Sequence, residues 1–107
     1  MDNWRVNKLE TMIEEDPKDE FVMFALAQEY NKMGLLEKSV EWYNQLKTVN
    51  PDYVGLYYHL ASVYAELEKE EEAVETYNIG IEIAKKLNDQ HALSELQNAK
   101  LNYELEL

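Results

Sequence analysis

Apolar residues recur along this chain at intervals of three and four positions, which is the spacing of one face of an α-helix. The spacing occurs twice at a fixed offset along the chain, in Met23, Leu26, Ala27, Tyr30 and again in Tyr57, Leu60, Ala61, Tyr64. No segment alternates polar and apolar residues with a period of two. The pattern predicts an all-α fold without strands, with six helices over 2–15, 18–33, 36–49, 52–67, 70–87 and 89–105.

A second apolar stripe predicts the buried faces of the third and fifth helices. It consists of Val40, Tyr43 and Leu46, matched by Val74, Tyr77 and Ile81. Four tyrosines at packing positions are therefore predicted to belong to the core: Tyr30, Tyr43, Tyr64 and Tyr77. Ala27 and Ala61 are small where two helices approach closely, because a larger side chain would overpack the contact.

Proline, glycine and their neighbours predict where helices begin and end. Asp16-Pro17 and Asn50-Pro51 each place a capping side chain before a proline, and proline in the first helical position loses no hydrogen bond. Both pairs are therefore predicted to begin a helix. Gly34 stands where a helix must stop, because glycine readily adopts the left-handed conformation of a helix cap.

The whole pattern repeats with a fixed period of about 34 residues. Residues 20–53 align with residues 54–87, and the alignment places Leu26 on Leu60 and Asn44 on Asn78. A fixed period of this length is typical of a stacked array, in which each unit covers the apolar face of its neighbour. Connections of two to four residues make consecutive helices antiparallel.

These residues resemble the tetratricopeptide repeat, whose pattern is W-x2-L-G-x2-Y, then A-x3-F, then P over about 34 residues. The first copy reads Met23-x2-Leu26-Ala27-x2-Tyr30, Ser39-x3-Tyr43 and Pro51, and the second reads Tyr57-x2-Leu60-Ala61-x2-Tyr64, Ala73-x3-Tyr77 and Lys85. Lys85 in place of proline predicts a longer fifth helix that ends at Asn88-Asp89. The resemblance implies one domain over 1–107, with a half-repeat helix (1–19), two repeats (20–53 and 54–87) and a capping helix (88–107).

The resemblance also implies a right-handed stack of helix pairs with a concave groove, lined by the first helix of each pair. In this family the groove binds a peptide or another protein. The binding residues that follow from their positions in each repeat are Phe21, Phe24, Gln28, Asn31, Lys32, Tyr58 and Ser62. The aromatic residues of this set lie off the core stripe, and exposed aromatics favour binding. The alternative is that a terminus or the last helix covers them.

One subfamily clamps the C-terminal carboxylate of chaperones with Lys and Asn at fixed groove positions. This chain has Phe24 and Gln28 at two such positions of the first repeat, and His59 in place of Asn in the second. We therefore do not expect a cochaperone that binds chaperone tails.

Composition narrows the classes of partner. The chain has 107 residues, 46% of them hydrophobic, which is enough for the core of one small domain. Its formal net charge of −12 argues against nucleic acids and anionic membranes and favours a protein or peptide that is neutral or basic overall, although solubility alone accounts for such a charge. The absence of cysteine excludes disulfides, and without a visible signal peptide or membrane span the expected location is the cytoplasm.

No residue pattern predicts catalysis, a metal site or a cofactor. His59 and His91 each lack a second ligand at i+4, and no glycine-rich phosphate loop occurs. The carboxylates between residues 66 and 72 are more simply a solvated cluster that suits the start of the fifth helix. We therefore predict that the chain is not an enzyme.

Two functions remain open at this point. The first is a protein-interaction module that binds a peptide or protein segment in the concave groove. The second is a self-associating scaffold, a homodimer through terminal helices, because the first helix lacks the partner of a full repeat and leaves Trp4 uncovered. The binding surface is then either the groove or the first helix.

Overall fold

A computed structural model describes residues 3–107. In that range the chain forms six α-helices and no strand: α1 (Trp4–Glu15), α2 (Glu20–Lys32), α3 (Leu36–Val49), α4 (Gly55–Glu66), α5 (Glu70–Lys86) and α6 (Gln90–Glu106). The predicted all-α fold is confirmed, and each observed helix end lies within three residues of its predicted position. Contacts divide the chain into two compact units, Met1–Pro51 and Asp52–Leu107. A single domain over 1–107 stays a prediction.

The two prolines follow helices rather than begin them, so the prediction that they start helices was wrong. Asp16 ends α1 and Asn50 ends α3, and their backbones are extended, with φ of −136° and −146°. The ring of a following proline drives the preceding residue out of the helical region, which stops the helix there. The next helix, α2, begins after Asp19, whose carboxylate accepts a first-turn backbone N–H at 3.1 Å.

Gly34 ends α2 as predicted. Its φ is +77°, and the N–H groups of Gly34 and Leu35 donate to the carbonyls of Asn31 and Tyr30 at 3.0 and 2.9 Å. These two bonds form the Schellman motif, which satisfies carbonyls that the end of a helix leaves unpaired. The same motif ends α4, but there the left-handed residue is Glu68, with a φ of 60°.

Glu68→Gly is expected to raise the free energy of unfolding by about 0.5–1 kcal/mol, because glycine avoids the steric cost of a left-handed side-chain residue but loses more chain entropy on folding. Urea denaturation measures the change. The matched control is Glu66→Gly, which removes the same charge from a helical residue of α4 and is expected to lower stability. A Glu68→Gly variant that is less stable than the wild type would contradict the assignment.

In the first unit α2 packs against both α1 and α3. The hydroxyl of Ser39, fully buried on α3, donates to the carbonyl of Ala27 on α2 at 2.7 Å. This bond accounts for serine where the family pattern has alanine, since a buried hydroxyl needs a partner. The Tyr30 hydroxyl of α2 donates to Glu10 on α1 at 2.7 Å, and burial together with this carboxylate raises the pKa of Tyr30 to about 12.

In the second unit α5 packs against α4 and α6, and Gly80 is a position where both neighbours come close. A Cβ atom at Gly80 would lie 2.6 Å from the Cβ of Tyr57 on α4 and 3.2 Å from both methyl groups of Leu96 on α6. The corresponding residue of the first repeat is Leu46, which is fully buried. The second unit therefore fills with Leu96 of α6 the volume that a side chain on α5 would otherwise occupy.

The core differs from the predicted stripes at four positions. Tyr64, Val40, Val74 and Ile81 are only half-buried. The last three each follow a fully or nearly fully buried small residue, namely Ser39, Ala73 and Gly80. One position along a helix is a turn of about 100°, so these three branched side chains lie at the edge of the buried face rather than at its centre.

Candidate functional site

Five of the seven predicted binding residues lie on α2. Phe21, Phe24, Gln28 and Asn31 are spaced by three, four and three positions, so they share one face of the helix, and Lys32 borders it. Phe21 is 70% exposed, whereas the other three residues of the face are half-buried. The Lys32 ammonium lies 3.6 Å from the Glu29 carboxylate and remains largely exposed.

Phe24 takes part in helix packing as well as in this face. Its ring meets the edge of the Tyr43 ring on α3, with centroids 5.9 Å apart and planes at 67°. Such edge-to-face pairs contribute about 0.5–1.5 kcal/mol beyond the area they bury. A substitution at Phe24 would therefore change stability together with any binding, which makes Phe21 the better probe.

The other two predicted residues, Tyr58 and Ser62, lie one turn apart on α4 and are both half-buried. The Tyr58 ring meets the edge of the neighbouring His59 ring, with centroids 5.4 Å apart. The structure thus groups five residues on a face of α2 and two on a face of α4. That both faces belong to one binding surface is part of the proposal below.

His59 lies in an environment that disfavours its charged form. Burial lowers the pKa of His59, and the Glu95 carboxylate on α6 raises it by a smaller amount. The imidazole is therefore neutral at physiological pH. The sequence predicted only that this residue lies beside the groove, because its burial depends on tertiary packing.

Acidification is expected to reduce stability through His59. The pKa is about 6.5 in the unfolded chain and lower in the folded one, so the unfolded state binds more protons below that pH. Above about pH 6.5 His59 is neutral in both states, and its buried neutral side chain makes its full contribution to the free energy of unfolding. This contribution is lost as the pH falls below that value. His59→Gln should give a shallower fall of Tm between about pH 7.5 and 5.5 than the wild type gives. Equal slopes for wild type and His59→Gln would overturn this expectation.

Two further apolar surfaces are present, of which the sequence analysis offered the first, around Trp4 on the first helix, and not the second. The first, here called the N-terminal face, consists of Trp4, Arg5, Lys8 and Leu9 on α1 and borders Phe21 on α2 around a cavity of about 260 Å³. The second, here called the glutamate-rimmed cleft, is a cavity of about 680 Å³ over the outer side of α5. Its apolar residues are Val74, Ile79, Ile83 and Leu107, and its acidic rim is Glu70, Glu71, Glu75 and Glu82.

Over residues 3–107 no group of three or more His, Asp or Glu side chains is placed to hold a metal ion. In the same range, no helix has both the length and the apolar character needed to cross a membrane.

Comparison with known proteins identifies the family. Residues 27–68 match the TPR repeat profile and residues 54–87 match the tetratricopeptide repeat profile. A tetratricopeptide repeat domain protein from Salinibacter ruber, solved by NMR, is 44% identical over 83% of this chain and 90% of that chain, with a TM-score of 0.77. The chain belongs to the tetratricopeptide repeat family. No curated protein matches it.

More distant structures share the fold of this tetratricopeptide repeat chain. The TPR2B domain of yeast Sti1, solved in complex with pHsp70, has a TM-score of 0.87 at 17% identity, covering 95% of this chain and 82% of that one. The Yersinia enterocolitica type III secretion translocator chaperone SycD has a TM-score of 0.85 at 13% identity, covering 94% and 70%. Tetratricopeptide repeats act as protein-interaction modules, and this chain has that general function.

Proposed function

We propose that the chain binds a peptide or protein segment in a concave groove, through the predicted residues on α2 and on α4. The observation that carries the proposal is Phe21, an aromatic side chain that is 70% exposed on a helix whose opposite side is fully buried. Large exposed aromatics are costly in water and are enriched where proteins bind one another. The complex of the Sti1 TPR2B domain with pHsp70 supports peptide binding by this fold.

The residues of the two faces can make two kinds of contact with a ligand, namely apolar contacts and hydrogen bonds. Phe21 and Tyr58 offer apolar rings that can anchor a side chain of the ligand. Gln28 and Asn31 offer amide groups that can both donate to and accept from its backbone. The formal charge of −12 attracts a ligand that is neutral or basic overall and disfavours an acidic one.

Peptides selected from a random library on the wild-type chain test this proposal. Isothermal titration should show at least a tenfold weaker Kd for Phe21→Ala, Gln28→Ala and Tyr58→Ala, since a few anchors carry most of the affinity of such sites. The matched control is Leu105→Ala, at an equally exposed apolar residue of α6 outside the groove. Selected peptides that bind all three groove variants as tightly as the wild type would overturn the proposal.

Self-association is the second candidate function, and a specific observation favours it. Trp4 is 71% exposed at the start of α1, although an indole is among the largest apolar groups a protein can bury. A second copy of the chain that covers Trp4 would remove this surface from water. The two candidate surfaces meet at Phe21, which belongs to the predicted groove residues and also lines the cavity beside Trp4, while their other residues differ.

A further inference from the structure

We propose that copies of this chain bind head to tail, with the N-terminal face of one copy docked in the glutamate-rimmed cleft of the next. The inference rests on the second proposed function, self-association, and its test is separate from the test of peptide binding in the groove. The sequence analysis considered a homodimer in which terminal helices of two copies meet. Here the contact joins two different surfaces, one from each copy.

The cleft on α5 fits an apolar side chain flanked by cations. Val74, Ile79 and Ile83 are half-buried and give it an apolar floor, while the four rim glutamates all keep exposed positions. One of them, Glu82, lies 3.4 Å from Lys85 on the same exposed stretch of helix. A ligand with an apolar group at its centre and positive charge at its edge would satisfy both parts of this surface.

The N-terminal face presents that combination. Trp4 and Lys8 are one helical turn apart, as are Arg5 and Leu9, so all four lie side by side on α1. Trp4 is 71% exposed, and Arg5 remains 62% exposed although its guanidinium lies 3.6 Å from Glu29. Because acidic residues outnumber basic ones by 22 to 10 in this chain, two cations beside an exposed indole form a distinctive surface.

The repeat register supports the same pairing. Val6 on α1 aligns with Val40 and then with Val74 on α5 as the repeat is followed along the chain, so both helices are the second helix of a repeat. A repeat array grows by stacking each unit on its neighbour. The α1 helix of a second copy placed beside α5 continues the array across two molecules.

Such a contact has consequences for the assembly. Since the two surfaces differ, each assembly keeps one free face at one end and one free cleft at the other. It therefore grows into a short chain or closes as a ring. The charge of −12 on every copy opposes growth at low ionic strength, whereas moderate salt screens this repulsion.

Sedimentation velocity on the full chain in about 0.15 M salt, where the screening length is about 8 Å, tests the pairing. Trp4→Ala with Lys8→Ala blocks the face, and Glu71→Lys with Glu75→Lys blocks the cleft. All four residues are exposed, so circular dichroism should show an unchanged fold. Each blocked variant alone should associate at least tenfold more weakly than the wild type. An equimolar mixture of the two should form a heterodimer that stops at two copies, because its remaining face and cleft are both blocked.

The other outcomes separate the claims. Gln28→Ala, a groove variant, should associate as the wild type does. A wild type that stays a single copy up to about 1 mM, where only very weak binding would escape detection, overturns both self-association and this interface while leaving peptide binding untouched. If the wild type associates but the face variant does so equally well, only this interface is overturned. If the cleft variant associates as the wild type does while the face variant stays a single copy, the contact joins two N-terminal faces and the head-to-tail arrangement is wrong. If both blocked variants are single copies and their mixture is too, the face does not bind the cleft and the arrangement is equally wrong.

Discussion

Gly80→Ala is expected to lower the free energy of unfolding by about 2 kcal/mol, although alanine is the better helix former by about 1 kcal/mol. The new Cβ would lie 2.6 Å from the Cβ of Tyr57, a distance that carbon atoms do not tolerate. The Cβ of Tyr57 cannot rotate away because it is attached to the backbone of α4. The two helices must therefore separate, and the buried contact with Leu96 on α6 is disturbed as well.

Gly55→Ala provides a matched control for this prediction. It makes the same chemical change at the start of α4, where the nearest atom to the added Cβ is Cε1 of Tyr53 at an ordinary 3.8 Å. Gly55→Ala is expected to leave stability unchanged or to raise it by up to about 1 kcal/mol. Urea denaturation of both variants measures the contrast, and a Gly80→Ala midpoint at or above that of Gly55→Ala would show that α4 and α5 do not meet at Gly80.

Leu96→Ala is expected to cost about 3 kcal/mol, within the range of about 2–5 kcal/mol for leucine-to-alanine changes in cores. Leu96 is 1% exposed and is the one buried residue of α6. Its removal leaves a cavity over Gly80 and takes away the residue that holds this helix on α4 and α5. The loss should appear in the urea midpoint and in a helical circular dichroism signal that declines before the main transition.

Leu101→Ala is the control for that variant, because it makes the same change on the same helix at a residue that is 55% exposed. It is expected to change stability by less than about 0.5 kcal/mol. Combining Leu96→Ala with Gly80→Ala should cost less than the sum of the single changes, since the smaller residue 96 no longer meets the new Cβ. Equal midpoints for Leu96→Ala and Leu101→Ala would contradict the anchoring role of Leu96.

Positions in the repeat predict only in part which residues of the candidate site are exposed. The repeat register predicted Phe21 and Phe24 together, yet Phe21 is mostly exposed while Phe24 meets the edge of Tyr43 on another helix. The cleft on α5 was hidden because Val74 looked like a core residue and the acidic residues near it looked like a helix start. Their combination on one side of α5 depends on how deeply the helix is buried, which no local pattern contains.

The sequence by itself determined the all-α fold, the six helices and the repeat. These follow from apolar spacing, from Gly34 at a left-handed cap and from prolines that exclude the helical conformation just before them, all of which act over a few neighbouring residues. Only the tertiary structure decided two other features. At Gly80, Leu96 of α6 fills the space that Leu46 fills at the corresponding position of the first repeat, and Glu68 takes a left-handed conformation. The first feature depends on a contact between residues far apart in the chain. The second depends on a backbone conformation that the residue at that position does not itself favour.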